Sequence, residues 1–598
     1  MKHSLDIASL QDAYRREALS PADMINAIHD EIEARGEQHV WITLVPREVA
    51  LRKSKAAPKG PLFGVPFAVK DNIDVAGLPT TCACPEFAYT PQRSATVVER
   101  LEAAGAILIG KTNMDQFATG LVGTRSPYGI PSCVFDDSYI SGGSSSGSAV
   151  AVGSGLVSFA LGTDTAGSGR VPASFNNIVG LKPTKGLLSA RGVVPACRTQ
   201  DTVSVFALTA GDAVSVMASA AAFDADDAYS RSGPGSFAAA PLPAKLRIGV
   251  PSGSMEFFGD REAEALYRQS IERMEGLGAS IAEIDFAPFR DAAQLLYSGP
   301  WVAERLAAIH AFAQAKPDAM DSVVRGIILG AEKISAVAAF EGFYRLAEFT
   351  RAAEAQWQHM DILLLPTAPT IYRIEDVVAD PVRLNSNLGL YTNFVNMMDL
   401  SALAVPSGFH ANGLPFGVTL IARAFEDGML ATAGDALHRT WSSAKLGATT
   451  CALAATPAVS PAPAKRRIEV AVVGAHLTGQ PLNSQLIERN ARLVRTARTA
   501  AGYSFYELPG TVPPKPGLVF DGTGEGAIEV EVWDMDEAAF GSFVALIPAP
   551  LGIGTLALAD GTAVKGFICE AHAVGGATDI TSWGGWRAWR ERSLVAQA

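Results

Sequence analysis

Short apolar runs of strand length recur from Pro61 onward: VPFAVK, AILIG, LRIGV, DILLLP, ALAVP and FGVTLIA, with Ala-rich stretches that suit helices between them. Runs without polar alternation belong to strands buried on both faces. The pattern therefore predicts an α/β layer fold, with a mixed central sheet covered by helices. Ahead of it, Ser20-Pro21 followed by Asp23 reads as a helix start, with Ser20 as N-cap and Pro21 at the first helical position. N-terminal helices are expected to about Arg52. The texture changes at Thr456, where TPAVSPAPA suits neither sheet nor stable helix. Lys465-Arg466-Arg467 and a new strand, IEVAVVG, follow; AIEVEVW, TLALAD and VKGFICEA continue the strand pattern. The expected organisation is a domain over 1–455, a Pro/Ala linker over 456–466 and a small α+β domain over 467–598. No internal repeat of fixed period is present.

Composition narrows the partners more than the fold. A chain of 598 residues is too long for one core and implies at least two domains. A net charge of −12 excludes a nucleic-acid partner, which needs clustered Lys and Arg. No stretch approaches 18 uninterrupted apolar residues, so no membrane span is expected. The start, MKHSLDIASLQDAYRREA, lacks the apolar core of a secretory signal. Six cysteines in so long a chain make no disulfide framework. Cys82 and Cys84 lack a second pair and a neighbouring His, so no metal site is expected. All six are read as reduced thiols in a cytoplasmic protein.

The candidate chemistry lies between Tyr139 and Gly186. A Gly/Ser-rich run of this kind alone would read as a flexible linker, but an apolar segment (Ala149 to Leu161), Asp164 and Arg170 interrupt it. About 70 residues upstream, FGVPFAVKDNIDVAG places Lys70 inside an apolar strand-like run. Lys70 on its own would be a snorkelling strand lysine. Gly143-Ser-Ser-Ser-Gly147 also spells G-x-S-x-G, the elbow of α/β-hydrolases, with Ser145 as nucleophile. That reading needs a later Asp and His; His310, His359, His410 and His438 are available, none in a distinctive motif. A Gly/Ser loop without chemistry is the remaining alternative.

Three segments carry a resemblance to the amidase signature family: GGSSSGS (Gly142 to Ser148), GTDTAGSGR (Gly162 to Arg170) and GLKPT (Gly180 to Thr184). It extends over roughly residues 20 to 440. The resemblance places Lys70 as the base, Ser144 as a bridging serine and Ser168 as the nucleophile, 74 and 24 residues apart. A serine hydroxyl needs a base, and a lysine in an apolar strand can serve because desolvation disfavours its ammonium form. Ser144 would relay the proton both ways, after a cis, non-proline Gly143–Ser144 bond. Backbone N–H groups of Thr165, Ala166 and Gly167 would form an oxyanion hole, with Ala166 replacing the family's usual glycine. Asp164 and Arg170 are expected to hold the turn, and Ser145 to support the relay. This chemistry uses no metal and no cofactor.

LLYSGPWVAERLAAI (Leu295 to Ile309) resembles the Y-x-G-P-W-V-A-E-R segment of allophanate hydrolases. Tyr297 and Arg305 fall on that family's substrate-recognising tyrosine and arginine. Alone, Arg305 would be a surface partner of Glu304, and Tyr297 a core or rim aromatic. Eight residues apart, one helical face could present both if the segment is helical throughout. Arg305 would grip the substrate carboxylate bidentately and Tyr297 would hydrogen-bond one end of allophanate, a small-molecule substrate. KTNMDQFATG (Lys111 to Gly120) resembles the family's pocket wall, with a backbone contact from Gly120.

VAVVGAHLTGQPLN (Val470 to Asn483) and IPAPLGIGTLALADGTAVKGF (Ile547 to Phe567) resemble the allophanate hydrolase C-terminal domain, itself distantly like the γ-glutamyl cyclotransferase fold. The resemblance implies two steps in urea degradation: ammonia release from allophanate, leaving N-carboxycarbamate, then carbon dioxide loss promoted by the second domain. His476, in a Gly-Ala-His-Leu-Thr-Gly turn after a strand, is the residue named for that step; a structural or dimer-contact histidine is the alternative. His572 is a second candidate. The family implies a homodimer. With no biotin-type lysine motif in the chain, a urea carboxylase supplying allophanate is expected on a separate polypeptide. Three other readings stay open. One is an amidase for another small amide, with the C-terminal domain serving only assembly. The others are the ammonia-supplying component of a transfer-RNA amidotransferase, and a binding or dimerisation role for the C-terminal domain.

Overall fold

The computed structural model describes residues 4–233, 237–441, 444–454, 467–489, 491–524 and 527–595. The chain divides into two compact units, Met1–Ala462 and Pro463–Ala598. The expected Pro/Ala linker, 456–466, lies outside the described residues.

In chain order the strands of the first unit are β1 (Trp41–Leu44), β2 (Pro66–Lys70), β3 (Ile107–Thr112), β4 (Ser132–Cys133), β5 (Asp136–Ile140), β6 (Phe159–Asp164) and β7 (Val179–Lys182). β8 (Thr202–Ala207), β9 (Arg247–Pro251), β10 (Ser280–Ile284), β11 (Ile362–Pro366), β12 (Leu400–Phe409) and β13 (Pro415–Arg423) follow. β4 and β5 form a separate ribbon. The rest make one eleven-stranded sheet in the order β1-β3-β2-β6-β8-β7-β12-β13-β11-β9-β10. The sheet is mixed: β2 runs parallel to β3 and β6, whereas β6 is antiparallel to β8 and β8 to β7. Every residue of β2, β3, β6, β7, β8 and β11 is buried. That double-sided burial explains runs without alternation.

The N-terminal region differs from a run of helices. Helices Ile7–Arg15, Pro21–Arg35 and Arg47–Ala56 are interrupted by β1, which pairs antiparallel with β3 at the sheet edge. Four half-buried residues carry too little pattern to announce a strand. Ser20 does cap its helix, accepting the Asp23 N–H at 3.1 Å while the Asp23 carboxylate accepts the Ser20 N–H.

The second unit contains β14 (Arg467–Val472), β15 (Arg492–Arg498), β16 (Tyr503–Glu507), β17 (Pro516–Phe520), β18 (Glu529–Asp536), β19 (Leu551–Ala557), β20 (Ala563–Cys569) and β21 (Thr578–Asp579). They form a five-stranded sheet, β15-β18-β14-β20-β19, and a three-stranded one, β17-β16-β21. Helix Glu537–Val544 adds the Phe543 ring to a core built on Val470, Phe505, Val532 and Trp586. All six cysteines are free thiols. Among the described residues no helix is long and apolar enough to cross a membrane.

Candidate active site

Lys70 ends β2, a strand with parallel neighbours on both sides, and is fully buried. Its Nζ lies 2.7 Å from Ser144 Oγ and 2.8 Å from Thr163 Oγ1, and Ser144 Oγ lies 2.9 Å from Ser168 Oγ. Burial pushes the Lys70 ammonium down to about 7, against the pull of the Asp115, Asp201 and Asp164 carboxylates. Ser144 sits just before helix Ser146–Gly153, after a cis Gly143–Ser144 bond. Position 143 has no room for a side chain: a Cβ there would stand 2.1 Å from an Asp115 oxygen. That carboxylate accepts the Gly123 and Arg125 N–H groups, while the Asp115 N–H donates to the Ser144 carbonyl. Ser145 is bonded to the Thr163 carbonyl, 3.2 Å away. Among the described residues no histidine reaches it, which removes the support for an α/β-hydrolase elbow.

Ser168 follows β6 in a turn clamped at its base. Asp164 and Arg170, both fully buried, pair bidentately at 2.8 and 2.9 Å. Burial alone would raise the Asp164 carboxyl; the Arg170 guanidinium and its hydrogen bonds hold it below the usual value. Arg170 also donates to the Thr392 carbonyl and Asn396 Oδ1, and Asn396 donates to the Asp164 carbonyl. Thr165 Oγ1 donates to Asp201, whose carboxyl is pushed up to about 6 by burial. A Cβ at Gly167 would meet Thr392 Oγ1 at 2.5 Å, so the turn packs directly on that segment. Among the described residues the N–H groups of Thr165, Ala166 and Gly167 have no acceptor. Arg170→Leu would strand a buried carboxylate and is expected to cost about 3–5 kcal/mol in a denaturant titration. Adding Asp164→Leu should recover part of that loss.

Tyr297 and Arg305 do not share one helix. Gly299-Pro300 breaks the segment into helices Ala287–Ser298 and Trp301–Ala315. The two residues still meet, with the Arg305 guanidinium 5.5 Å from the Tyr297 ring centre. Arg305 is buried and donates to the Ala118 carbonyl and Thr119 Oγ1, both at 3.3 Å; its Nε has no partner among the described residues. Glu304 points elsewhere, accepting from Thr199 N and Oγ1 at 2.7 and 2.8 Å. Among the described residues no carboxylate pairs with Arg305. Gly120 stands in the same wall, next to Thr119 and against Asp115.

Thr163, Asp115, Asp201, Thr392 and Asn396 escaped the sequence reading. Thr163 had one available signal: it lies inside the GTD motif, on the strand beside Lys70.

In the second unit His476 follows β14 and its ring stacks on Phe567, centroids 5.1 Å apart, with Phe543 edge-on at the same distance. Nε2 lies 3.0 Å from Gln485 Oε1, and burial lowers the imidazole pKa. His476 lines a cavity of about 170 Å³. His572 instead lies exposed, 3.2 Å from the Glu570 carboxylate.

Residues 23–431 match the model of the Amidase family, and residues 468–591 that of the allophanate hydrolase C-terminal domain. A buried lysine, two hydroxyls in line and a clamped Gly/Ser turn on this sheet go with that result: the chain belongs to the amidase family of hydrolases. Within it, this chain carries the allophanate hydrolase C-terminal domain behind the amidase domain. The urea amidolyase of Saccharomyces cerevisiae is 43% identical over 595 residues, covering 95% of this chain and 32% of that protein. The chain thus spans about a third of that relative's length. A solved allophanate hydrolase from Kluyveromyces lactis superposes with a TM-score of 0.73 at 41% identity, over 99% of this chain and all of that one. A solved urea amidolyase from the same yeast superposes with a TM-score of 0.72 at 40% identity, over 99% of this chain and 37% of that one.

Proposed function

We propose that the chain hydrolyses allophanate through an acyl-enzyme on Ser168. The observation that carries this reading is the contact line Lys70–Ser144–Ser168 in a buried site, beside a buried arginine with no acidic partner among the described residues. Ser168 Oγ attacks the carbamoyl carbon while its proton passes to Ser144, and the Ser144 proton passes to neutral Lys70 Nζ. The N–H groups of Thr165, Ala166 and Gly167 take the developing oxyanion. The proton returns along the same line to the nitrogen as its bond to carbon breaks, and ammonia leaves. Water then attacks the acyl-enzyme and releases N-carboxycarbamate. Arg305 holds the distal carboxylate and Tyr297 the planar amide. The second unit, through His476, speeds loss of carbon dioxide; the resulting carbamate decays to ammonia and carbon dioxide. The chain works as a homodimer on allophanate made by a urea carboxylase.

Arg305→Met tests the substrate. Loss of a buried charge-assisted pair is expected to lower kcat/KM for allophanate about 10²- to 10³-fold, with hydrolysis of a neutral amide such as propionamide little changed. Parent activity that favours neutral amides over allophanate would overturn the anionic substrate and leave a general amidase.

A further inference from the structure

The cavity of the second unit combines apolar walls with a single charged side chain. Val473, Leu551 and Phe567 line it; its polar side chains are Lys515, His476 and Gln485, and among the described residues no acidic one contributes. Such walls disfavour a charged guest unless the site supplies a countercharge. Lys515 is only half-buried, and among the described residues its Nζ has neither an ion pair nor a hydrogen bond. Its backbone, by contrast, is fixed. The Lys515 N–H donates to Thr511 Oγ1 at 2.8 Å, and its carbonyl accepts the Leu508 N–H at 3.1 Å. The stem thus starts from a held position, with Pro516 and β17 directly after it.

The imidazole is held as firmly. Gln485 Oε1 can only accept, so His476 Nε2 carries the hydrogen and Nδ1 keeps its lone pair. Stacking on Phe567 and the edge of Phe543 fixes the ring plane. The cavity is therefore lined by one lysine, one glutamine amide and one fixed imidazole.

We propose that Lys515 is the anion-holding residue of this cavity, and that its guest is a small dicarboxylate of which only one carboxylate is paired. The inference rests on the reading that the second unit acts on N-carboxycarbamate. That dianion has two carboxylates on one N–H, and the cavity has one cation for them. Lys515 grips the carboxylate that stays. The other lies against apolar walls, where its charge is poorly solvated, and it leaves as neutral carbon dioxide. The C–N bond to that group breaks, its electron pair remains on nitrogen, and nitrogen takes one proton from water to give carbamate. Lys515 thus decides which end departs. The guest's N–H meets the Nδ1 lone pair of His476, which sets its orientation.

The test uses the full chain, its Lys515→Met, Lys515→Arg and His476→Ala variants, and ¹³C-labelled allophanate followed by NMR. In Lys515→Met the first ammonia is expected at the parent rate while N-carboxycarbamate decays about 10- to 100-fold more slowly, the worth of a charge-assisted hydrogen bond. Lys515→Arg should restore most of that rate. Malonate, with CH₂ in place of NH, should slow the decay competitively in the parent and lose this effect in Lys515→Met. A matching melting curve for Lys515→Met excludes misfolding. If Lys515→Met clears the intermediate as fast as the parent while His476→Ala accumulates it, the anion-holding role is wrong and the domain's function stands. If both variants clear it at the parent rate, the function assigned to the second unit fails, and this inference with it.

Discussion

Ser168→Ala is expected to lower ammonia release from allophanate by about 10⁵-fold or more, leaving only what binding and the oxyanion hole contribute over water. Ser168 is the end of the contact line that faces the open N–H groups of its own turn. The next hydroxyl, Ser144, is buried 2.9 Å further back and hydrogen-bonded on both sides. It therefore does not substitute as a nucleophile. The fold should survive: one buried hydrogen bond, about 1 kcal/mol, is lost and no charge is stranded. Two measurements check this. Acid-quenched parent enzyme should carry the acyl mass on the peptide containing Ser168, and the variant should carry none. Melting temperatures should agree within a few degrees. A variant retaining more than a hundredth of parental activity would place the nucleophile elsewhere.

Lys70 variants come next in effect. Burial favours the neutral amine, so the active form of the base appears as pH rises through about 7. The parent's kcat/KM should therefore climb about tenfold per pH unit below that value and level off above it. Lys70→Arg keeps a permanent charge and Lys70→Met has no base. Both should lose about 10⁴-fold, with no inflection near 7. The same shift has a stability side. An unfolded lysine titrates near 10.4, so between about pH 7 and 10 the folded chain binds fewer protons than the unfolded one. The penalty for burying Lys70 is full below about pH 7 and fades as pH rises through that window. Lys70→Met should thus melt higher than the parent at neutral pH while being inactive. An unchanged pH profile in Lys70→Met would remove lysine from the mechanism.

How much of this was legible depended on the length scale of each interaction. The buried strands announced themselves, because burial on both faces leaves apolar runs that composition alone reveals. The three side chains proposed to react were readable through their company, since Lys70 or Ser144 alone has bland explanations. The helix break between Tyr297 and Arg305 was visible in Gly299-Pro300, because the residue before proline is biased away from the helix. The pair meets as a continuous helix would have allowed, but by another route, with the turn bringing two helices together. Asp115, Asp201 and Asn396 were hidden for another reason. Asp115 acts through backbone N–H groups, Asp201 through the Thr165 hydroxyl and Asn396 through Arg170 and the Asp164 carbonyl, and any Asp or Asn can do that. Only the folded chain shows which ones do.

The clamp beneath Ser168 also sets a time. Arg170 is tied to Thr392 and Asn396, residues added 222 and 226 positions later. Ribosomes add about 5–20 residues per second, so roughly 10–40 seconds separate the making of Ser168 from the making of its anchor. A nascent chain carries Lys70, Ser144 and Ser168 together throughout that interval, with the Asp164–Arg170 pair but without its braces from Thr392 and Asn396. A chain that stops short of Thr392 lacks both of these braces beneath Ser168.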